Sequence, residues 1–197
     1  MSVSPVRLHL AQDEAADALL AADPFALLVG MLLDQQFPME RAFAGPYLIA
    51  ERMGMSTVDP AAVAAEDAQA FASLMAGPPA VHRYPKAMAG RVQALAAFLI
   101  DAYGGDASAL WRGVTDGREL FARIRALPGF GDQKARIFLA LLGKQFGVRP
   151  DGWERAAGDY ATPGRRSVAD VVDERSLQEV REYKRGMKAR ARGAAGT

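Results

Sequence analysis

No cysteine occurs in the 197 residues, which excludes disulfides, thiolate zinc sites and iron-sulfur clusters together. Histidine is scarce too: His9 and His82 stand far apart, and neither sits in a metal-ligand motif. No metal and no cofactor is therefore expected. The longest apolar run, Phe25 to Leu33, is too short to cross a bilayer, and the first residues lack a basic, apolar, small-residue signal pattern. A cytoplasmic protein with no membrane role is the expectation. Strand signals are also nearly missing. The opening "VRLHLA", residues 6 to 11, alternates in a strand-like way, but no second convincing strand exists for it to pair with. Fixed-period repeats are absent as well.

What remains is half hydrophobic, ample for one core and marginal for two independent ones. The net charge of +1 conceals an asymmetry: residues 1 to 111 hold 6 Lys and Arg against 12 Asp and Glu, whereas residues 112 to 197 hold 18 against 11. A basic half is the footprint of a phosphate-binding surface, although uneven charge is also common in ordinary soluble domains.

Helical signals run from end to end. Asp13 is placed to cap a helix reaching Ala22, and the pairs Asp23-Pro24 and Asp59-Pro60 each set a capping carboxylate before a first-turn proline. Met39 to Met53 reads as a helix ending at Gly54, and Pro85 to Tyr103 as one closed by Gly104-Gly105. Further helices are expected from Gly117 to Ala126, Asp132 to Phe146, Gly152 to Ala157 and Glu174 to Arg190, with Gly158 to Ser167 as a loop. The fold class expected is all-α.

One interruption stands out. "ALPGFGDQKARIFLALLG", Ala126 to Gly143, puts Pro128, Gly129 and Gly131 between two good helices. Proline and glycine cost about 3 and 1 kcal/mol in a helix interior, so the run breaks the first helix before the second begins. Gly129 and Gly131 can present backbone N-H groups closely to an anion, and the helix N-terminus that follows adds its own unpaired donors and dipole. Phe130, between the glycines, is expected to anchor the turn in the core. Such a contact reads a nucleic-acid backbone and carries no sequence information. The alternative is a purely structural helix corner.

This stretch resembles the hairpin of the helix-hairpin-helix DNA glycosylase superfamily, which includes endonuclease III, the adenine and 8-oxoguanine glycosylases and the alkylbase glycosylases. The match runs from Leu127 through Ala135. A second stretch, "FALLVGMLLDQQFPMERAF" from Phe25 to Phe43, is similar to the superfamily's early helix pair, with Gln35, Gln36, Phe37 and Pro38 at the turn near the flipped-base gap. The likeness covers roughly residues 24 to 160. It implies a two-lobed helical fold: residues 24–146 as one lobe ending in the hairpin, residues 1–23 and 147–197 as the other, and a lesion pocket between them.

The resemblance also implies a chemistry. Base removal passes through an oxocarbenium-like transition state that a carboxylate can stabilise. Asp151, 18 residues beyond Gln133, occupies the position of the family's Asp; the competing reading makes it an ordinary N-cap of the next helix. Family members that also cut the strand carry a nucleophilic Lys where this chain has Gln133, and an amide forms no Schiff base. Adjacent Lys134 is expected to point about 100° around the helix. A monofunctional glycosylase without lyase activity is implied. Its phosphate clamp would comprise Leu127, Pro128, Gly129, Phe130, Gly131 and Lys134. Gln35, Gln36, Phe37, Tyr84 and Trp153 are candidates for the base gap, each aromatic also readable as core packing. The partner implied is double-stranded DNA, bound by a monomer. The rival functions are a non-catalytic DNA-binding protein and a helical interaction module. The basic run Arg181 to Arg192 suits either DNA phosphates or a solvated helix.

Overall fold

The computed structural model describes residues 6–194. Ten α-helices follow one another in this range: α1 (Glu14–Ala22), α2 (Pro24–Leu33), α3 (Met39–Arg52), α4 (Pro60–Ala65), α5 (Ala68–Ala76), α6 (Pro85–Tyr103), α7 (Gly117–Arg125), α8 (Asp132–Gln145), α9 (Trp153–Ala157) and α10 (Glu174–Ala194). Short 3-10 turns cover Ala107–Leu110, Gly158–Tyr160 and Val168–Asp170. The protein is all-helical, with no strand among the described residues. No single helix among them is long and apolar enough to cross a membrane.

Aspartate starts five of these helices. Asp13, Asp23, Asp59, Asp67 and Asp116 each turn a carboxylate onto first-turn amides of α1, α2, α4, α5 and α7. The four orphan N-H groups of a helix start need acceptors, and a short carboxylate on extended backbone supplies them. Asp23 does more: its second oxygen accepts from Val58 N at 2.7 Å, tying the α3–α4 connection to the start of α2.

The residues of "VRLHLA" form no strand, and the reason is a carboxylate. Buried Asp17 accepts from Leu10 N and Ala11 N, both at 2.8 Å, so these donors are satisfied without a partner strand. Leu8 and Leu10 still reach the core.

The core is built around α2, in which every residue from Phe25 to Leu33 is buried. Fully burying a large apolar side chain contributes about 1.5–3 kcal/mol before chain entropy is charged against it. Two glycines let α3 come close: a Cβ on Gly30 would lie 2.7 Å from Phe43 Cδ1, and one on Gly45 would lie 2.6 Å from Leu33 Cδ1. A single connected apolar cluster runs from Leu8 to Val180.

Trp153 locks the α7–α8–α9 corner. It is buried against Gly143, where an added Cβ would overlap its ring, and its backbone N sits 2.5 Å from where a Cβ on Gly117 would stand. Asp151 N donates to Thr115 O at 2.9 Å and Asp151 O accepts from Gly117 N at 2.8 Å, an isolated bridge at the start of α7. Asp151 is thus not the N-cap of α9. Gly152, at φ +74°, precedes the helix, and no side chain caps it.

Candidate functional site

Between α7 and α8 the chain makes a type II turn. Leu127 O accepts from Phe130 N at 3.0 Å, and Gly129 takes φ +83° at the third position, the conformation that favours glycine there. Leu127 and Phe130 on either side are buried, Phe130 meeting Phe138 edge-on at 6.0 Å. Gly129 has a second reason to be glycine: a Cβ would overlap Leu32 Cδ1, at the end of α2. Gly131 differs. It is exposed, its φ is −85°, nothing lies within 4 Å of an added Cβ, and it begins α8 with no side-chain cap. The first amides of α8 therefore face outward without an intramolecular acceptor from the cap. Asp132 in that first turn is paired with Arg125 at 2.5 Å.

Lys134 ties this corner to the Gln35-Gln36 turn. Its Nζ donates to Met31 O at 2.8 Å and Leu32 O at 3.0 Å, satisfying last-turn carbonyls of α2. An ammonium at a helix C-terminus also suits the helix dipole. Burial lowers the Lys134 pKa to about 8; neighbouring Asp34 opposes the shift, and Arg91 and Lys184 add to it. The side chain is thus spent inside the protein and presents no charge at the surface of the turn.

Beyond α2, the turn is pinned from a third element. His82 is fully buried; its Nδ1 accepts from Tyr84 N at 3.1 Å, so Nε2 carries the proton and donates to Gln35 O at 3.1 Å. Its pKa is lowered by burial, partly offset by the Gln35 and Leu33 carbonyls and reinforced by Arg83 and Arg91. Gln35 Oε1 accepts from Arg91 Nη1 at 2.8 Å, and exposed Gln36 sits at φ +53°. Phe37 and Tyr84 flank the imidazole at 4.6 and 6.0 Å between ring centres, and Tyr84 is exposed. A small cavity of about 160 Å³ lies among Gln35, Gln36, His82, Tyr84 and Arg91.

A larger open cavity, about 630 Å³, adjoins the start of α8. Gln133, Arg136, Asp159, Tyr160, Arg166 and Lys184 line it, and Gln133 Nε2 donates to the Tyr160 hydroxyl at 2.9 Å. Arg136 and Arg166 are partly committed to the backbone, at Ala156 O and Asp159 O. The Asp159 carboxylate takes no hydrogen bond among the described residues and is exposed. Lys184 stands 3.8 Å from Asp34, which is largely buried beside the Gln35-Gln36 turn.

The structure thus brings together the Leu127–Gly131 turn, Gln133, Lys134, Gln35, Gln36, Phe37 and Tyr84. It does not bring Asp151 or Trp153 to them. Asp151 faces a separate, shallower groove with Thr115, Val148 and Arg149, beside the start of α7 and the last turn of α8. Twelve residues of helix at 1.5 Å each put that last turn about 18 Å from Gln133. Trp153 is core. Two residues of the assembled region carry no motif in the sequence: Asp159 and Tyr160. Asp159 and Tyr160 lie in a polar loop without periodicity, so only their placement against Gln133 marks them.

Compared with protein families, with curated proteins and with solved structures, the chain has no match.

Proposed function

We propose that this chain binds double-stranded DNA through the Leu127–Gly131 hairpin and removes a damaged or mismatched base as a monofunctional DNA N-glycosylase, with the two-lobed helix-hairpin-helix fold that its motifs resemble. The observation that carries the reading is the junction at Lys134. Two motifs about a hundred residues apart in sequence meet there, the hairpin on one side and the glutamine turn on the other, with an open cavity alongside. The arrangement suits a flipped nucleotide. Outward amides at Gly131 and the start of α8 would take a backbone phosphate. Gln35, Gln36 and Tyr84 would fill the vacated stack, and the Gln133 cavity would take the extruded base.

In the reaction, the C1′–N bond breaks with its electron pair leaving on the base, and water adds at C1′ while its released proton passes to the base, giving an abasic sugar and the free base. A carboxylate lowers the barrier by facing the developing positive charge. Two are candidates: Asp151, implied by the family resemblance, and Asp159, which shares the cavity with Gln133. Geometry favours Asp159. Strand cutting through a Schiff base has no support, because Gln133 is an amide and the Lys134 ammonium faces the α2 carbonyls.

One observation favours a second reading, a DNA-binding protein without catalysis. Both Asp151 and Asp159 are exposed, and a carboxylate in bulk water contributes little electrostatic stabilisation. Binding separates these readings from the helical interaction module. The full chain should hold a duplex containing an abasic-site analogue more tightly than an intact duplex, with affinity falling as salt rises. Equal affinity for the two duplexes favours the non-catalytic reading; no salt-dependent binding refutes both.

A further inference from the structure

The second half of α10 stands away from the core. Leu177 and Val180 anchor the helix there, but from Glu182 to Ala191 every residue is exposed. At 100° per residue, positions 181, 184, 185 and 188 fall within an arc of about 100°. All four are basic: Arg181, Lys184, Arg185 and Lys188. The one acid in this stretch, Glu182, lies outside the arc. Like charges at i,i+3 and i,i+4 repel along a helix face, and the large apolar side chains of this half, Tyr183 and Met187, stay exposed at the rim of the Gln133 cavity and offset that repulsion with little packing.

The stripe begins at the candidate site. Arg181 pairs with Glu40 in the first turn of α3, and Lys184 stands 3.8 Å from Asp34 while lining the Gln133 cavity. These two cations are held by the body. Arg185 and Lys188, next along the same face, take no ion pair among the described residues. The face therefore starts beside the Gln133 cavity and the Gln35-Gln36 turn, where Arg185 lines a groove with Asp34, Phe37 and Pro38, and continues to Lys188 as positive charge without an ion pair among the described residues.

We infer that this face of α10 is a second DNA-backbone contact, in which Arg185 and Lys188 neutralise phosphates of the same duplex that the hairpin holds. The inference rests on the DNA reading above. A polyanion relieves the repulsion along the stripe, and each phosphate neutralised releases a counterion. Nothing in such a contact discriminates bases, so α10 adds affinity without sequence preference.

The test is the salt dependence of duplex binding by the full chain and by an Arg185→Gln/Lys188→Gln double variant, with Arg190→Gln on the opposite face as control. Losing two phosphate contacts should lower the slope of log K against log salt by about 2 and weaken binding by roughly tenfold or more at about 0.1 M salt. The control should bind as the full chain does. Amide hydrogen exchange in the last turns of α10 should slow on adding DNA, which a merely solvated helix would not do. An unchanged slope in the double variant, with full-chain binding intact, overturns this inference and leaves the hairpin reading standing. No binding by the full chain overturns both. If the double variant instead loses binding only to vesicles containing phosphatidylserine, the stripe serves a lipid surface and the inference fails.

Discussion

Replacing Gly131 with aspartate sets the stability of α8 against its capacity to hold an anion. The backbone there, φ −85° and ψ −179°, is extended and accepts any residue, and nothing lies within 4 Å of the added Cβ. Five other helices in this chain begin with an aspartate whose carboxylate takes first-turn amides. The carboxylate introduced by Gly131→Asp should do the same. Capping improves on glycine by a few tenths of a kcal/mol, and removing a glycine from the unfolded chain contributes about 0.4–1 kcal/mol more. Repulsion from Asp132 subtracts little, because that carboxylate is already paired with Arg125. The net is about 1 kcal/mol of added stability, a rise in Tm of roughly 2–4 °C for a chain of this size. DNA should respond in the opposite sense. The new carboxylate occupies the amides proposed to take a phosphate and would place like charge within about 5 Å of it, an interaction of about 3 kcal/mol at an effective dielectric of about 20 before salt screening. Duplex affinity should fall about tenfold or more, read by fluorescence anisotropy, while thermal denaturation followed by circular dichroism reports the gain in Tm. Gly131→Ala, with no acceptor to offer, should bind within a few-fold of the unaltered chain. An aspartate variant that is stabilised and still binds DNA normally would refute a phosphate at the start of α8.

Gly129→Ala should destabilise the fold by about 2–4 kcal/mol in urea denaturation, combining the strain of positive φ with overlap at Leu32; a change under about 1 kcal/mol would contradict the packing described. Buried neutral His82 makes the unfolded chain the better proton acceptor, so stability should fall as pH drops through about 6.5, and His82→Asn should flatten that fall. Lys134 acts at the other end of the scale: its folded pKa of about 8 lies below the ordinary lysine value of 10.5, so the folded chain binds fewer protons between them. Stability should therefore gain from this group as pH rises across that window, a gain that Lys134→Met removes. On DNA containing abasic sites, borohydride should trap no covalent adduct, because Gln133 supplies no amine and Lys134 is held by Met31 O and Leu32 O; a trapped band lost in Lys134→Met would reverse that assignment.

Much of this architecture is legible in the sequence because its punctuation is chemical. Asp-Pro pairs start α2 and α4, Gly104 at φ +62° ends α6, and Pro128-Gly129 sets the turn before α8. Each signal acts on its immediate neighbours. What escapes depends on partners distant in sequence or on a local backbone choice that composition does not reveal. The alternation of "VRLHLA" is real, but the Asp17 carboxylate takes the donors that a strand would need. Asp151 looks like a cap, yet left-handed Gly152 intervenes and Asp151 spends its backbone on Thr115 and Gly117. The rotation of Lys134 away from Gln133 follows from helix geometry, whereas its destination at the end of α2 does not. The cavity carboxylate Asp159 sits in a loop whose path is set by packing at Trp153 and by Arg136 holding Ala156 O.

Base release is the measurement closest to the central claim. Duplexes carrying alkylated, oxidised, deaminated and mismatched bases are incubated with the full chain, with Asp159→Asn and with Asp151→Asn, and abasic sites are then revealed by alkali. The full chain should release at least one base. Asp159→Asn should lose about 100-fold or more in rate, the range typical of removing one charge-stabilising group, with DNA binding retained and Asp151→Asn near full activity. Full activity in Asp159→Asn with loss in Asp151→Asn would contradict the placement of the chemistry in the Gln133 cavity. No release from any duplex would contradict the glycosylase itself.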